Sequence, residues 1–246
     1  MVSLVPDRPL ALPPVVLFDL DGTLIDSAPG IIDGLRHAME TIGRPMPDES
    51  RVRELIGPPL PEILRLLGAG SDADDPEIAR AEVERGLAAY RRIYRESGWS
   101  HSRVFDGFPE ALDELLAHGV RLAVATSKAE VVAEQVLDHY RLRDRFEFVA
   151  GASEDGSRTL KKDVMARALS RLGVAAVIGG TTGVAMIGDR SHDIEGARHW
   201  GVPCIAVTWG YGTEAEHAAA DVVVDRPKDL IAALDGLVPD LGGRTS

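Results

Sequence analysis

Two hydrophobic periods alternate along the chain, and the switch between them marks its organisation. Val15-Val16-Leu17-Phe18 is continuously apolar, as in a strand buried on both faces, and the run stops at Asp19-Leu20-Asp21-Gly22. The period then becomes helical. Ile31, Leu35, Ala38 and Ile42 share one helix face, Leu60, Ile63, Leu64 and Leu67 a second, and Val83, Leu87, Tyr90 and Tyr94 a third. Pro45, Pro47, Pro58, Pro59 and the Asp-rich stretch 71–75 punctuate them, and no strand pattern of comparable strength returns before Phe105. Residues 28–101 therefore read as an all-helical cap inserted between the first strand and its crossover partner.

Beyond Phe105 the two periods take turns. Helices are expected over 107–118, 129–140, 162–172 and 192–200, and strands over 121–126, 146–150, 184–187, 204–207 and 221–224. Strand and helix in alternation make right-handed βαβ units, which places residues 15–27 and 102–240 in one discontinuous α/β core, a doubly wound parallel sheet. Ligands of such a sheet bind at the carboxyl ends of its strands. Residues 1–14, with four prolines, and 241–246 read as flexible termini.

Composition narrows the partners. The 246 residues, 45% of them apolar, suffice for a full core, and a net charge of −12 disfavours a nucleic acid polymer or an anionic membrane surface. An anionic ligand must then be met by local cations and a metal. The single cysteine, Cys204, lies in an apolar run and can form no internal disulfide, which fits a buried thiol and a reducing cytoplasm. No segment has the pattern of a signal peptide or of a membrane span, so a soluble cytoplasmic protein is expected.

The polar residues at the predicted strand ends carry the chemistry. Asp19 and Asp21, two positions apart, lie on the same side of their strand with Leu20 opposite, and Gly22 lets the chain turn close to a bound group. Two carboxylates so near repel as anions, so a divalent cation or a shared proton belongs between them; one can attack as a nucleophile while the other manages protons. The same pair alone would also suit a calcium-like loop or a helix cap. Asp189 ends another strand and Asp193 lies one helical turn further on, so both can face one cation; hard oxygens without a cysteine or histidine cluster favour Mg²⁺ over zinc. The hydroxyls and backbone N–H groups of Thr126 and Ser127, at the start of a helix, suit a phosphate oxygen or a plain helix cap. Lys161 and Lys162 open a helix, where a lysine is commonly a solvated charge.

Asp19-Leu20-Asp21-Gly22-Thr23-Leu24 resembles the first signature of the haloacid dehalogenase superfamily, whose members are mostly Mg²⁺-dependent phosphatases. The family's other three motifs follow in order, from Val15 to about Asp229. Gly57-Pro58-Pro59, Asp155-Gly156-Ser157-Arg158 and Trp209-Gly210-Tyr211-Gly212 resemble the phosphoglycolate phosphatase-like and 5′-nucleotidase-like branch; the glycine-rich stretch 173–183 departs from it. The resemblance implies that Asp19 is the nucleophile of an aspartyl-phosphate mechanism and Asp21 its acid and base. It implies Mg²⁺ on Asp19, the Asp21 carbonyl and Asp189, with Asp193 in support. Gly22, Thr126, Ser127 and one lysine would bind the phosphate; Lys161 is preferred to Lys162 because Lys-x-Asp to Asp163 matches related sequences.

The implied substrate is a small phosphorylated metabolite, handled by a monomer or homodimer, with the cap as the lid that selects the leaving group. Arg53, Arg65, Arg91, Arg92, Tyr94 and Trp99 are the cap's candidates for substrate contact, each also readable as bundle core or solvated surface. A sugar phosphomutase of the same fold and a non-catalytic protein that retains the site are the rival readings. Dehalogenation fits less well, since a halide needs no proton from Asp21.

Overall fold

The computed structural model describes residues 10–153 and 155–237. A six-stranded sheet runs in the order β5-β4-β1-β6-β7-β8, with β1 Val15–Phe18, β4 Arg121–Ala129, β5 Phe148–Ala152, β6 Val184–Gly188, β7 Cys204–Val207 and β8 Val222–Val224. Every pairing in it is parallel. The chain first builds outward on one side of β1 and then on the other, so β1 stands at the point where the winding reverses. In an open α/β sheet the ligand crevice lies there, beyond the strand's carboxyl end.

All four residues of β1 are buried, and they divide between two apolar layers as period two requires. Val16 and Phe18 pack with α5 Phe108–Ala117, α6 Glu130–His139 and α10 Leu230–Leu237; Val15 and Leu17 pack with α7 Lys161–Arg171 and α8 Ser191–Trp200. Phe18 meets Phe108 and Phe146 edge-on, with centroids 6.3 and 6.1 Å away. A short α9, Glu214–His217, follows β7.

The helical block consists of α1 Ala28–Ile42, α2 Glu49–Glu54, α3 Leu60–Leu66 and α4 Pro76–Glu96. It has its own apolar cluster, in which Leu35, Met39, Leu64, Val83, Tyr90 and Tyr94 meet. The chain enters and leaves it through a two-stranded antiparallel ribbon, β2 Ile25–Asp26 against β3 Arg103–Val104.

The sequence pattern misses this ribbon because two residues are too few to show alternation, and it misses α2 because that helix buries only Val52. The strand expected over 121–126 extends to Ala129, since pairing with β5 resumes at Ala129 and Ala152 after an irregularity. Thr126 and Ser127 therefore lie in a strand's irregular end and not at the start of a helix. The strand expected over 146–150 is displaced to Phe148–Ala152 by a tight turn at Arg143–Arg145.

Residues 1–9 and the terminal stretch 241–246, both expected to be flexible, lie outside the described residues. Nearer the core, the Ala11 N–H donates to Asp235 at 2.6 Å and the Pro14 carbonyl accepts from Arg121. The glycine-rich stretch 173–183 precedes β6 and so sits at the amino ends of the strands, away from the crevice. Its Thr181 hydroxyl ties the loop to both backbone groups of Val177, and Gly179 and Thr181 bond to the end of α8. Among the described residues, no helix is long and apolar enough to cross a membrane.

Candidate active site

The site is assembled from residues that directly follow β1 and β6, and from the first turns of α7 and α8. Asp19 continues the β1 ladder, its N–H donating to the Ile187 carbonyl at 2.9 Å, so its side chain emerges at the switch point. Asp189 emerges beside it. Asp193 comes from the first turn of α8, where it also accepts the Arg190 N–H at 3.1 Å. One oxygen of each of these three buried carboxylates lies within 4.8 Å of the others.

Lys161, the first residue of α7, is the cation among them. Its Nζ donates to Asp19 Oδ1 at 2.8 Å and to the Ala125 carbonyl at 2.9 Å, and pairs with Asp193 Oδ1 at 2.6 Å. Lys162 is only partly buried, and its carbonyl receives the Trp200 indole N–H. The geometry thus separates the two adjacent lysines: Lys161 enters the acidic cluster.

Three carboxylates against one ammonium leave the cluster short of positive charge. Burial is the largest influence on Asp19 and pushes its carboxyl up to about 6, with Asp193 and Asp21 adding and Lys161 opposing. Asp189, completely buried, is driven well above the usual carboxylate range by burial first and by Asp193 and Asp19 next; the Tyr211 N–H on its Oδ2, at 2.6 Å, opposes them. Burial would lower Lys161, but the charges of Asp19 and Asp193 outweigh it and keep the ammonium above its ordinary range. A hard divalent cation fits this set of buried oxygens, and Asp19, Asp189 and Asp193 could hold it.

Asp21 stands apart from that trio. Both of its carboxylate oxygens accept from Lys128 Nζ at 2.9 Å, and this ammonium lies 4.9 Å from the ring centroid of Tyr94 in α4. Gly22 makes the intervening turn with φ +84°; a methyl group there would stand 2.3 Å from Asp189 Oδ2, so only glycine lets the strand end and the second acidic strand approach so closely. Thr126 is buried, its hydroxyl accepting the Lys128 N–H at 3.2 Å, and Ser127 is half-buried beside it.

Lys128, Tyr211 and Arg190 are the neighbours that the sequence reading did not single out for a role. For Lys128 the sequence carries no local signal, because the strand is irregular between Ala125 and Ala129. Tyr211 Oη accepts the N–H groups of Ser27 and Ala28 at 2.8 and 2.9 Å and bonds Asp26 Oδ1 at 3.1 Å, so it closes the start of α1 from across the sheet. Arg190 bonds the Ile56 carbonyl, just before Gly57-Pro58-Pro59, and pairs with Glu216. Of the cap candidates, Arg53 reaches Asp26 at 3.3 Å and Tyr94 is buried against Lys128, whereas Arg65, Arg91 and Arg92 are exposed and the Trp99 indole bonds the Arg95 carbonyl.

The chain is similar to several known proteins. Tyrosine-protein kinase PtkA of Mycobacterium tuberculosis is 44% identical over 200 residues, which make up 81% of this chain but 64% of that protein, so the chain spans less than two thirds of this relative's length. A 5′-nucleotidase of Pseudomonas aeruginosa is 38% identical over 203 residues, covering 82% of this chain and 86% of that one. The crystal structure of a predicted phosphatase from Clostridium acetobutylicum superposes with a TM-score of 0.81 at 32% identity, covering 92% of this chain and all of its counterpart. The model of the family described as haloacid dehalogenase-like hydrolase matches residues 16–207, and with the acidic cluster at the head of its parallel sheet the chain belongs to that family.

Proposed function

We propose that the chain is a Mg²⁺-dependent phosphatase that hydrolyses small phosphomonoesters through an aspartyl-phosphate. The observation that carries this reading is Asp19, buried at the switch point and held by Lys161. Lys161 fixes Oδ1, so Oδ2 attacks phosphorus and the ester oxygen departs. Asp21 gives that oxygen its proton, then takes one from the water that cleaves the acyl phosphate, which returns Asp19 and releases inorganic phosphate. Thr126, Ser127 and the backbone at Gly22 face the phosphoryl oxygens, with Lys161 as their fixed counter-charge. Mg²⁺, on Asp19, Asp189 and the Asp21 carbonyl with Asp193 behind them, would offset the repulsion between substrate and carboxylates and stabilise charge on the phosphoryl oxygens. The helical cap closes over the crevice and excludes bulk water.

Hydrolysis of p-nitrophenyl phosphate with Mg²⁺ and with EDTA tests the reading, followed by a panel of phosphoglycolate, nucleoside monophosphates and sugar phosphates ranked by kcat/KM. Mg²⁺-dependent turnover that vanishes in Asp19→Asn is expected; turnover untouched by EDTA or by that substitution would overturn the mechanism. The kinase name of the 44% identical relative favours a second reading, in which the phosphoryl group passes to a tyrosine hydroxyl. Label moving from [γ-³²P]ATP to a tyrosine peptide, without matching release of phosphate, would establish it.

A further inference from the structure

One buried polar atom near the Asp21–Lys128 pair has no partner among the described residues. Tyr94, in the last turns of α4, is 4% exposed, and its buried hydroxyl makes no hydrogen bond among the described residues. An unmet buried hydroxyl is costly, and a functional group that meets it when bound is one reason for a native fold to retain it. The ring cannot swing out to find water. It stacks on Tyr90, with centroids 5.2 Å apart and planes within 10° of parallel. A methyl group at Gly98 would lie 2.8 Å from Tyr94 Cδ2, and one at Gly34 would lie 2.7 Å from the Tyr90 ring, so the two rings fill room that only glycine leaves.

The same ring lies against the ammonium that holds Asp21. Lys128 Nζ lies 4.9 Å from its centroid while donating to both Asp21 oxygens, so Tyr94 touches the proposed acid and base through a single intermediary. Burial first, and then the Asp21 charge and Tyr140, keep the phenol well above its ordinary range, so it remains a neutral O–H able to donate.

We propose that Tyr94 is the specificity-determining residue that the cap contributes: its hydroxyl donates a hydrogen bond to an oxygen substituent on the leaving group, while its ring seats Lys128 against Asp21. The inference rests on the phosphatase reading and refines its substrate class to phosphomonoesters whose alcohol carries a hydroxyl or carboxylate oxygen near the ester bond. Recognition by one completed buried hydroxyl discriminates against the analogue that lacks the oxygen, because the hydroxyl is then left unmet.

The test compares matched esters, glycerol phosphate with propyl phosphate and phosphoglycolate with ethyl phosphate, in the wild-type protein and in Tyr94→Phe, all with Mg²⁺. The kcat/KM ratio within at least one pair is expected to fall about tenfold in the variant. The thermal midpoint of free Tyr94→Phe should equal or exceed that of the wild type, since the change deletes an unmet hydroxyl. Tyr94→Leu, which also removes the seat for Lys128, should lower kcat for ethyl phosphate about tenfold below that of Tyr94→Phe. Unchanged ratios in both pairs, with wild-type p-nitrophenyl phosphate hydrolysis intact, would sink this inference alone. A lower midpoint for free Tyr94→Phe would also overturn it, because the hydroxyl would then be satisfied without substrate. Absence of any Mg²⁺-dependent hydrolysis by the wild type would overturn the phosphatase reading instead.

Discussion

Lys128 and Asp21, 107 residues apart in sequence, form a two-pronged ion pair in which the ammonium stands 2.9 Å from each carboxylate oxygen. The lysine side chain is 7% exposed, so solvent does little to loosen the pair. Asp21 is thereby fixed in one orientation, held by Lys128 while Lys161 holds Asp19.

If that orientation serves proton transfer, its loss should depend on the leaving group. Lys128→Met is expected to lower kcat for an alkyl phosphate, whose alkoxide needs a proton, by about 10²-fold. p-Nitrophenyl phosphate, whose phenolate departs unprotonated, should suffer much less. A plot of log kcat against leaving-group pKa checks this; an equal loss for both esters would show that Lys128 acts on the phosphate and not through Asp21.

The metal-free protein should be most stable in mild acid. Asp19 titrates at about 6 in the folded chain against an ordinary 3.8, and Asp189 is raised as well. The folded state thus binds their protons more tightly than the unfolded state, and stability falls as pH rises through this window. Asp19 alone accounts for roughly 2–3 kcal/mol between about pH 4 and pH 6. Mg²⁺ competes with those protons, so its stabilisation, about 2.7 kcal/mol at a hundredfold excess over Kd, should be large at about pH 7.5 and small at about pH 5. Melting curves with Mg²⁺ and with EDTA at the two pH values measure it. Asp189→Asn should raise the metal-free midpoint and abolish the Mg²⁺ response.

Lys161→Met and Lys162→Met separate the two lysines by activity. The first removes the counter-charge of Asp19 and Asp193, and a loss of at least about 10³-fold in kcat/KM is expected, together with roughly 3 kcal/mol of stability when Mg²⁺ is absent. The second leaves the Lys162 carbonyl on Trp200 intact and should stay within about 0.5 kcal/mol of the wild type. Steady-state kinetics beside urea titrations gives both numbers.

Tyr211→Phe should weaken the junction between cap and core. Without the phenolic oxygen, the buried N–H groups of Ser27 and Ala28 lose their acceptor and Asp26 loses a donor, at a cost of about 1–3 kcal/mol. Hydrogen exchange at those two amides should quicken more than exchange in β1. Uniform quickening throughout the core would assign Tyr211 to global stability and not to the junction.

The parallel sheet and most of the acidic cluster were legible because the chain itself marks them: Asp19 and Asp189 each end an apolar run, and Asp193 lies one helical turn past the second. Lys161 was reached only through the resemblance to related sequences, whose Lys-x-Asp spacing it repeats with Asp163. Lys128 was not legible, because its partner comes from a different strand and nothing local distinguishes it from a surface lysine. Tyr211 lies 184 residues from Ser27, and its hydrogen bonds to the start of α1 exist only once β7 has joined the sheet. The extra reach of β4 depends likewise on a neighbour, since Ala129 is drawn into the strand by Ala152.

The ribbon of Ile25–Asp26 and Arg103–Val104 sets the point of departure of the helical block beside its point of return. For the chain's entropy, the long excursion between them is already a closed loop, and closure costs little more as such a loop lengthens. The register of β1 is therefore set by β4 and β6 without the excursion, and helices could be added or trimmed in it without shifting that register. Stretches of the excursion that touch none of Tyr211, Arg190 and Lys128 are thus free to vary in length, whereas Ala28, Ile56 and Tyr94 tie the rest to the strand ends beneath.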